Sequence, residues 1–259
     1  MSSLGGIAVF TLIFWVTRGR NGSEKEVFGS NKAESHKQAS NEILGIGTFT
    51  PQAIGDSFEG RPWITDLTIG DLDQDGLLDI VFCEGQQNKV IWLRQTSVGN
   101  YDEILLTSDI AGPAHVEIFD LDQDGDNDLL IAAMGKIMPT TKKIGSVVVL
   151  ENRGNETFIK HVLLKDTSRV TDVQPGDFDG DGKIDLAVGQ FGYSEGAIQW
   201  LHNQGNWNFK SNVLLRLSGT IHTPVVDVNG DQNLDIVALV SQEWEEIYIF
   251  DNEGRSFTQ

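Results

Sequence analysis

One nine-residue pattern, written four times, limits what this chain can fold into more than any other feature of it. It reads DLDQDGLLD at 71–79, DLDQDGDND at 120–128, DFDGDGKID at 177–185 and DVNGDQNLD at 227–235. The copies start 49, 57 and 50 residues apart, a blade-sized period and longer than most helical-pair repeats. Each copy is followed by a short apolar run: Ile80–Phe82, Leu129–Ile131, Leu186–Val188 and Ile236–Ala238. A second β-rich run comes next. In three copies it ends on an Asn-x-Gly triplet (152–154, 203–205, 252–254), whose Asn and Gly accept positive φ at a tight reversal. The first copy, Val90–Leu93, lacks the triplet. Phe158, Phe209 and Phe257 then open a fourth run. Four antiparallel strands per unit predict an all-β chain of β-propeller blades, bounded near 62–111, 112–168, 169–218 and 219–259.

The loops themselves point to a cation. Asp at positions 1, 3, 5 and 9, with Gly at 6 for the bend, aims several carboxylates at one point. Without a cation they would repel one another. Calcium takes six to eight oxygen ligands at about 2.3–2.6 Å, and a carbonyl at position 7 can be one. Magnesium suits the pattern less, because it demands octahedral geometry and keeps its waters. Zinc prefers His or Cys, which the loops lack. A helical calcium loop of the EF-hand kind requires Glu at position 12, where this chain has Phe82, Ile131, Val188 and Ala238. Metal-free Asp turns are the ordinary alternative, and three near-identical copies in register weigh against it. The fourth copy departs from the pattern with Asn229 and Gln232, and Gly230 offers to relieve its bend one step early.

In these loops the chain resembles the FG-GAP/VCBS repeat proteins, whose integrin-α-like propellers carry D-x-D-x-D-G-x-x-D loops. The resemblance covers about residues 44–259. Phe191-Gly192 is all that remains of the motif naming the family. It implies a calcium loop between the first and second strands of each blade. The implied ligands are Asp71, Asp73, Asp75 and Asp79 with the carbonyl of Leu77, then Asp120, Asp122, Asp124 and Asp128 with that of Asp126. The third set is Asp177, Asp179, Asp181 and Asp185 with the carbonyl of Lys183. The fourth is Asp227, Asn229, Asp231 and Asp235 with that of Asn233. Such proteins are mostly extracellular adhesion or recognition modules, and some similar propellers belong to polysaccharide lyases or lectins.

Four blades are the lower limit for a closed ring, so the repeats are expected to form part of a larger one, of about seven blades. Residues 48–54 read as a fourth strand with no unit before it, the place of a ring-closing strand. Ahead of the repeats, residues 1–17 hold the charge-free run Leu4–Thr17, shorter than the about 20 residues of a bilayer span and nearer a signal-peptide core. No basic residue precedes it and no clear cleavage site follows, so signal and uncleaved anchor both stand. Residues 18–43 are polar and predict a flexible linker. The protein is therefore expected outside the cytoplasm, touching membrane only through its N-terminal segment. A net charge of −19 argues against nucleic acid. The single cysteine, Cys83, excludes an intrachain disulfide and sits in an apolar run that predicts burial.

Beyond the loops, one constellation recurs. Five residues before each loop stand Asp66, His115, Asp172 and His222, which a propeller would arrange around its axis as a ring for a polar ligand or for acid–base work. The ordinary reading is a polar, wet channel mouth. His36, His161 and His202 show no such correspondence. The second unit is lengthened between Met134 and Ser146, an insertion with Lys136, Lys142 and Lys143 that suits a partner contact or a solvated hairpin. No nucleophile elbow or phosphate loop is present. The expected function is a calcium-stabilised adhesion or recognition module for a protein or carbohydrate ligand. The alternative is a lyase-like carbohydrate-active enzyme using the axial ring.

Overall fold

The computed structural model describes residues 51–56, 60, 62–154, 156–192, 194–242 and 245–254. The chain divides into two units, 1–51 and 52–259, and every strand among the described residues lies in the second. The N-terminal segment, the linker, residues 48–50 and Phe257 fall outside the described residues. Pro51–Ile54, the described part of the expected ring-closing strand, forms no strand.

Sixteen strands make four antiparallel sheets among the described residues. The first holds β1 (Ile64–Gly70), β2 (Asp79–Glu84), β3 (Lys89–Ser97) and β4 (Asn100–Thr107) in chain order. The second holds β5 (Pro113–Phe119), β6 (Asp128–Ala133), β7 (Gly145–Asn152) and β8 (Phe158–Thr167). The third holds β9 (Val170–Gly176), β10 (Asp185–Gln190), β11 (Ala197–Asn203) and β12 (Phe209–Leu215). In the fourth, the inner strand is broken at Pro224 into β13 (Thr220–His222) and β14 (Val225–Val226). Both pair with β15 (Asp235–Val240), whose other side carries β16 (Glu246–Phe250). Proline has no N–H for the ladder, which accounts for the break. These are four blades of a β-propeller, as the repeat predicts. Their inner strands β1, β5, β9 and β13 touch in that order.

The core sits between blades. Val81 and Cys83 of β2 meet Leu129, Ile131 and Ala133 of β6, while Leu130 and Ala132 on the other face of β6 meet Leu186 and Val188 of β10. Ala187 in turn faces Ile236, Ala238 and Val240 of β15. Second strands of inner blades are thus buried on both faces, which is why they read as unbroken apolar runs. Truncating one of them, such as Leu186→Ala, would cost about 2–5 kcal/mol. Cys83 is fully buried, and burial with nearby Asp66 pushes its thiol up. The outer faces of the end blades keep the same apolar pattern without a neighbour among the described residues: Leu67 and Ile69 in the first, Leu239, Ile247 and Ile249 in the fourth. A ring of more than four blades would cover such faces.

Every inner strand carries a β-bulge at one place, with Thr65, Ala114, Thr171 or Ile221 as the extra residue. The residue after each bulge is Asp66, His115, Asp172 or His222. Bulges re-aim the side chains that follow them, and these four are aimed at one another.

Candidate functional site

All four aspartate loops share one backbone. Positions 4 and 6 take left-handed φ in each: Gln74 and Gly76, Gln123 and Gly125, Gly180 and Gly182, Gly230 and Gln232. Gly230 therefore relieves nothing early, and Gln232 adopts the strained conformation, φ 75°, that glycine fills elsewhere. Position 1 accepts the position 6 N–H, position 3 the position 5 N–H, and position 5 the position 7 N–H, in every copy.

Position 9 works inward. Asp79, Asp128 and Asp235 are buried, and each bridges two backbone N–H groups. One belongs to loop position 2 (Leu72, Leu121, Val228) and one follows the third strand's apolar run (Gln95, Asn152, Asn252). Asp185 holds Asn203 N and the Trp200 indole instead. The Asn-x-Gly turns reach across blades as well. Asn152 Nδ2 donates to Leu72 O at 3.2 Å, and Asn252 Nδ2 to Phe178 O at 2.7 Å.

The loops differ in what faces position 3. In the first, Arg94 Nε lies 2.6 Å from Asp73 Oδ2. In the third, His202 Nε2 lies 3.1 Å from Asp179 Oδ2, and Lys183 Nζ pairs with Asp181. In the fourth, Asn229 Nδ2 donates to Asp251 at 2.8 Å and to Asp231 at 3.3 Å. In the second, the side chain in the place of Arg94 is the carboxylate of Glu151, and among the described residues no side-chain cation pairs with Asp120, Asp122, Asp124 or Asp128. Sequence reasoning missed His202. It stands one residue before Asn203, where Arg94 stands before Gln95, and that correspondence was the available signal.

Side chains that could share an ion lie within 4.8 Å of one another in three groups: Asp71, Asp73 and Asp79; Asp120, Asp122 and Asp128; Asp179, Asp181 and His202. Asp75, Asp124, Asp177 and Asp185 stand outside these groups, and the fourth loop assembles none among the described residues. The second loop fits a cation best. Asp120 Oδ1 is a buried oxygen with no hydrogen-bond partner; Asp73 Oδ2 of the first loop is another, but it has the Arg94 guanidinium against it. Burial, with Asp122 and Asp124 close by, pushes Asp128 up to about 7, while burial, Asp124 and Glu151 push Asp122 up. The first loop fits an added cation poorly, because Arg94 already occupies that role. In the third, Lys183 draws Asp181 down.

The axial residues form a chain across the blades. Asp66 Oδ2 lies 2.7 Å from His115 Nδ1 and accepts Val116 N at 3.0 Å. His115 Nε2 lies 3.3 Å from Asp172 Oδ1. Asp172 Oδ2 lies 2.9 Å from His222 Nδ1 and accepts Thr223 N. The bulge hydroxyls repeat the link, with Thr65 Oγ1 donating to Pro113 O and Thr171 Oγ1 to Thr220 O, both at 2.8 Å. Burial opposes charge on His115, but Asp172 and Asp66 outweigh it and raise its pKa to about 9. Asp172 moves the opposite way: His115 and His222 overcome its burial and hold it well below the usual carboxylate range. Both ring nitrogens of His115 face carboxylates, with Gln174 Nε2 also 3.1 Å from its Nε2, so His115 braces the cluster. The cluster fastens neighbouring inner strands to each other.

The insertion is no hairpin. Residues 134–144 form no strand; Ile137 packs against Gly85 of the first blade, and its carbonyl accepts Arg169 Nη1 beside the third.

A family model of the FG-GAP-like repeat matches residues 71–131, 137–188 and 177–238. No curated protein matches the sequence. Solved structures with a similar course include an Agrocybe aegerita lectin that recognises non-reducing terminal N-acetylglucosamine (18% identity, TM-score 0.45, 68% of this chain and 48% of that one). Others are the V. cholerae biofilm matrix protein Bap1 (18%, 0.40, 69% and 28%) and an endo-arabinase from Bacteroides thetaiotaomicron (11%, 0.41, 74% and 76%). The chain spans about half the length of the first and under a third of the second. Matched over more than half of its residues, and carrying the aspartate loop at the same corner of all four blades, the chain belongs to the FG-GAP-like repeat family.

Proposed function

We propose that the protein is a calcium-stabilised, extracytoplasmic recognition module whose inter-strand loops bind a protein or glycan. The observation that carries the calcium reading is the second loop: clustered carboxylates, a buried oxygen of Asp120 without a partner, and, among the described residues, no side-chain cation paired with the loop aspartates. Calcium there would be held by Asp120, Asp122 and Asp128, with Asp124 and the carbonyl of Asp126 completing the set. Its chemistry is structural, tying the β5–β6 corner together. The family resemblance and the biofilm-matrix and lectin neighbours favour recognition outside the cell. The lyase-like alternative is the less favoured reading, because a general base needs a free lone pair and both ring nitrogens of His115 face carboxylates.

Calorimetric titration of the metal-stripped chain with calcium is the direct test. We expect one dominant site, abolished by Asp122→Ala. No calcium binding at all would sink the assignment. A glycan-binding screen paired with a polysaccharide-cleavage assay separates module from enzyme, and cleavage that survives His115→Gln would revive the enzyme by another site.

A further inference from the structure

Around the axis, Asp172 works in two directions. Its Oδ1 faces His115 Nε2 of the preceding blade at 3.3 Å, and its Oδ2 takes His222 Nδ1 at 2.9 Å and Thr223 N of the following one. His115 likewise turns Nδ1 to Asp66 before it and Nε2 to Asp172 after it. The two ends of the array each keep half of this arrangement. Asp66 Oδ2 takes His115 Nδ1 and Val116 N of the second blade, and among the described residues its Oδ1 has no hydrogen bond or ion pair. His222, with its side chain 32% exposed, turns Nδ1 to Asp172, and its Nε2 has no such partner among the described residues.

The apolar faces are split in the same way. At the joint between the second and third blades, Ala132, Val147 and Val149 face the third blade and are fully buried. Their counterparts in the fourth blade, Leu239, Ile247 and Ile249, are 38%, 70% and 57% exposed. On the receiving side, Val173 of the third blade is fully buried, and its counterpart in the first, Leu67, is 47% exposed. The fourth blade thus presents one half of a blade joint and the first blade the other half. The axis also limits the count. Asp and His alternate from blade to blade, so an odd number of such blades would set two like residues side by side. Two arrays of four keep every aspartate beside a histidine. Within one chain, no ion pair joins Asp66 to His222 among the described residues.

We propose that two copies of this chain close head to tail into one eight-bladed ring, with His222 of each chain set against the partner's Asp66. His222 Nε2 then meets Asp66 Oδ1 as His115 Nε2 meets Asp172 Oδ1, and Leu239, Ile247 and Ile249 pack toward the partner's Leu67. The joint sets one surface against a different one, and a two-fold rotation about the channel makes both joints alike and closes the ring. It uses neither calcium nor a ligand, so its failure would leave the recognition reading standing.

The test is sedimentation velocity of the full chain, which should run as a dimer at micromolar concentration. Leu67→Glu and Ile247→Glu charge opposite halves of the joint at exposed positions, so both variants should keep the far-UV spectrum of the parent. Each alone should be monomeric, with dimerisation weakened by about a hundredfold or more. Mixed one to one they should dimerise again at reduced affinity, because one joint of the mixed pair carries neither charge. A monomeric parent chain would overturn the proposal, whatever else covers these faces, and so would open assemblies of more than two copies. A dimer lost in only one variant would mean that like faces meet, and a dimer kept in both would mean that another surface associates. Either result rejects the ring, as does a mixture that stays monomeric at every concentration.

Discussion

The loops of the first and second blades begin with the same six residues, Asp71–Gly76 and Asp120–Gly125, and fold onto the same backbone. They end up chemically opposed. The third strand brings Arg94 to Asp73 in one blade and Glu151 toward Asp122 in the other. A guanidinium at 2.6 Å is a built-in cation; Glu151 brings none to its loop, its own charge being met by Arg153 and His161. Identical motifs therefore need not be equivalent sites, because the deciding charge lies 21 or 29 residues downstream. The axis teaches the same lesson: Asp66 and Asp172 are matched by histidines from neighbouring blades.

The largest test of that view is at the axis. His115→Ala would leave the buried Asp66 without its cation and Asp172 with His222 alone, and should cost about 3–5 kcal/mol in denaturant unfolding, with or without calcium. The same pairing predicts the response to alkali. The folded pKa of His115, about 9, lies above its ordinary value, so its stabilisation is complete below about pH 6.5 and is lost as pH rises through 9. By linkage it amounts to roughly 3 kcal/mol. Asp172 sees the same interaction from the acid side, depressed below its ordinary value. That contribution is present above about pH 4 and is lost as pH falls. Unfolding free energy measured from pH 5 to 10 should decline above pH 7, and a flat profile would contradict the brace.

Next in size is the second loop itself. Calcium at ten times its dissociation constant should stabilise the chain by about 1.4 kcal/mol, roughly 3–6 °C in melting temperature. Asp122→Ala should erase that response, whereas Asp73→Ala should leave it in place. Equal losses from both substitutions would show that Arg94 does not set the first loop apart.

Arg94→Gln sharpens the contrast further. The exposed part of its ion pair contributes little, so without calcium the variant should lose under about 1 kcal/mol. With calcium it should gain a second binding event in titration. An unchanged stoichiometry would mean that the first loop lacks more than a vacant cation position. The smallest effect belongs to the fourth loop. Gln232→Gly restores at φ 75° the residue that the first three loops use, and should stabilise by under about 1 kcal/mol in thermal melts.

Much of this was legible in the residues. The repeat period, the apolar runs after each DxDxDG and the Asn-x-Gly turns predicted strands and blades, because each rests on local rules of sterics and alternation that act within a few positions. The correspondence of Asp66, His115, Asp172 and His222 could be read off the same register. What they do could not. Only the bulges that turn them and the stacking of consecutive blades bring Asp66 to His115 and Asp172 to His222, and so make them a brace. Arg94, Glu151, His202 and Asp251 share one place at the end of the third strand's apolar run, Asp251 just past β16, yet each acts on a loop position 21 to 29 residues earlier in the chain. The burial of Arg169 depends on the insertion folding over it. Local sequence determines which backbone a loop adopts. Which charge faces that loop depends on strand pairing and blade packing, since electrostatic partners are chosen by distance in space and not along the chain.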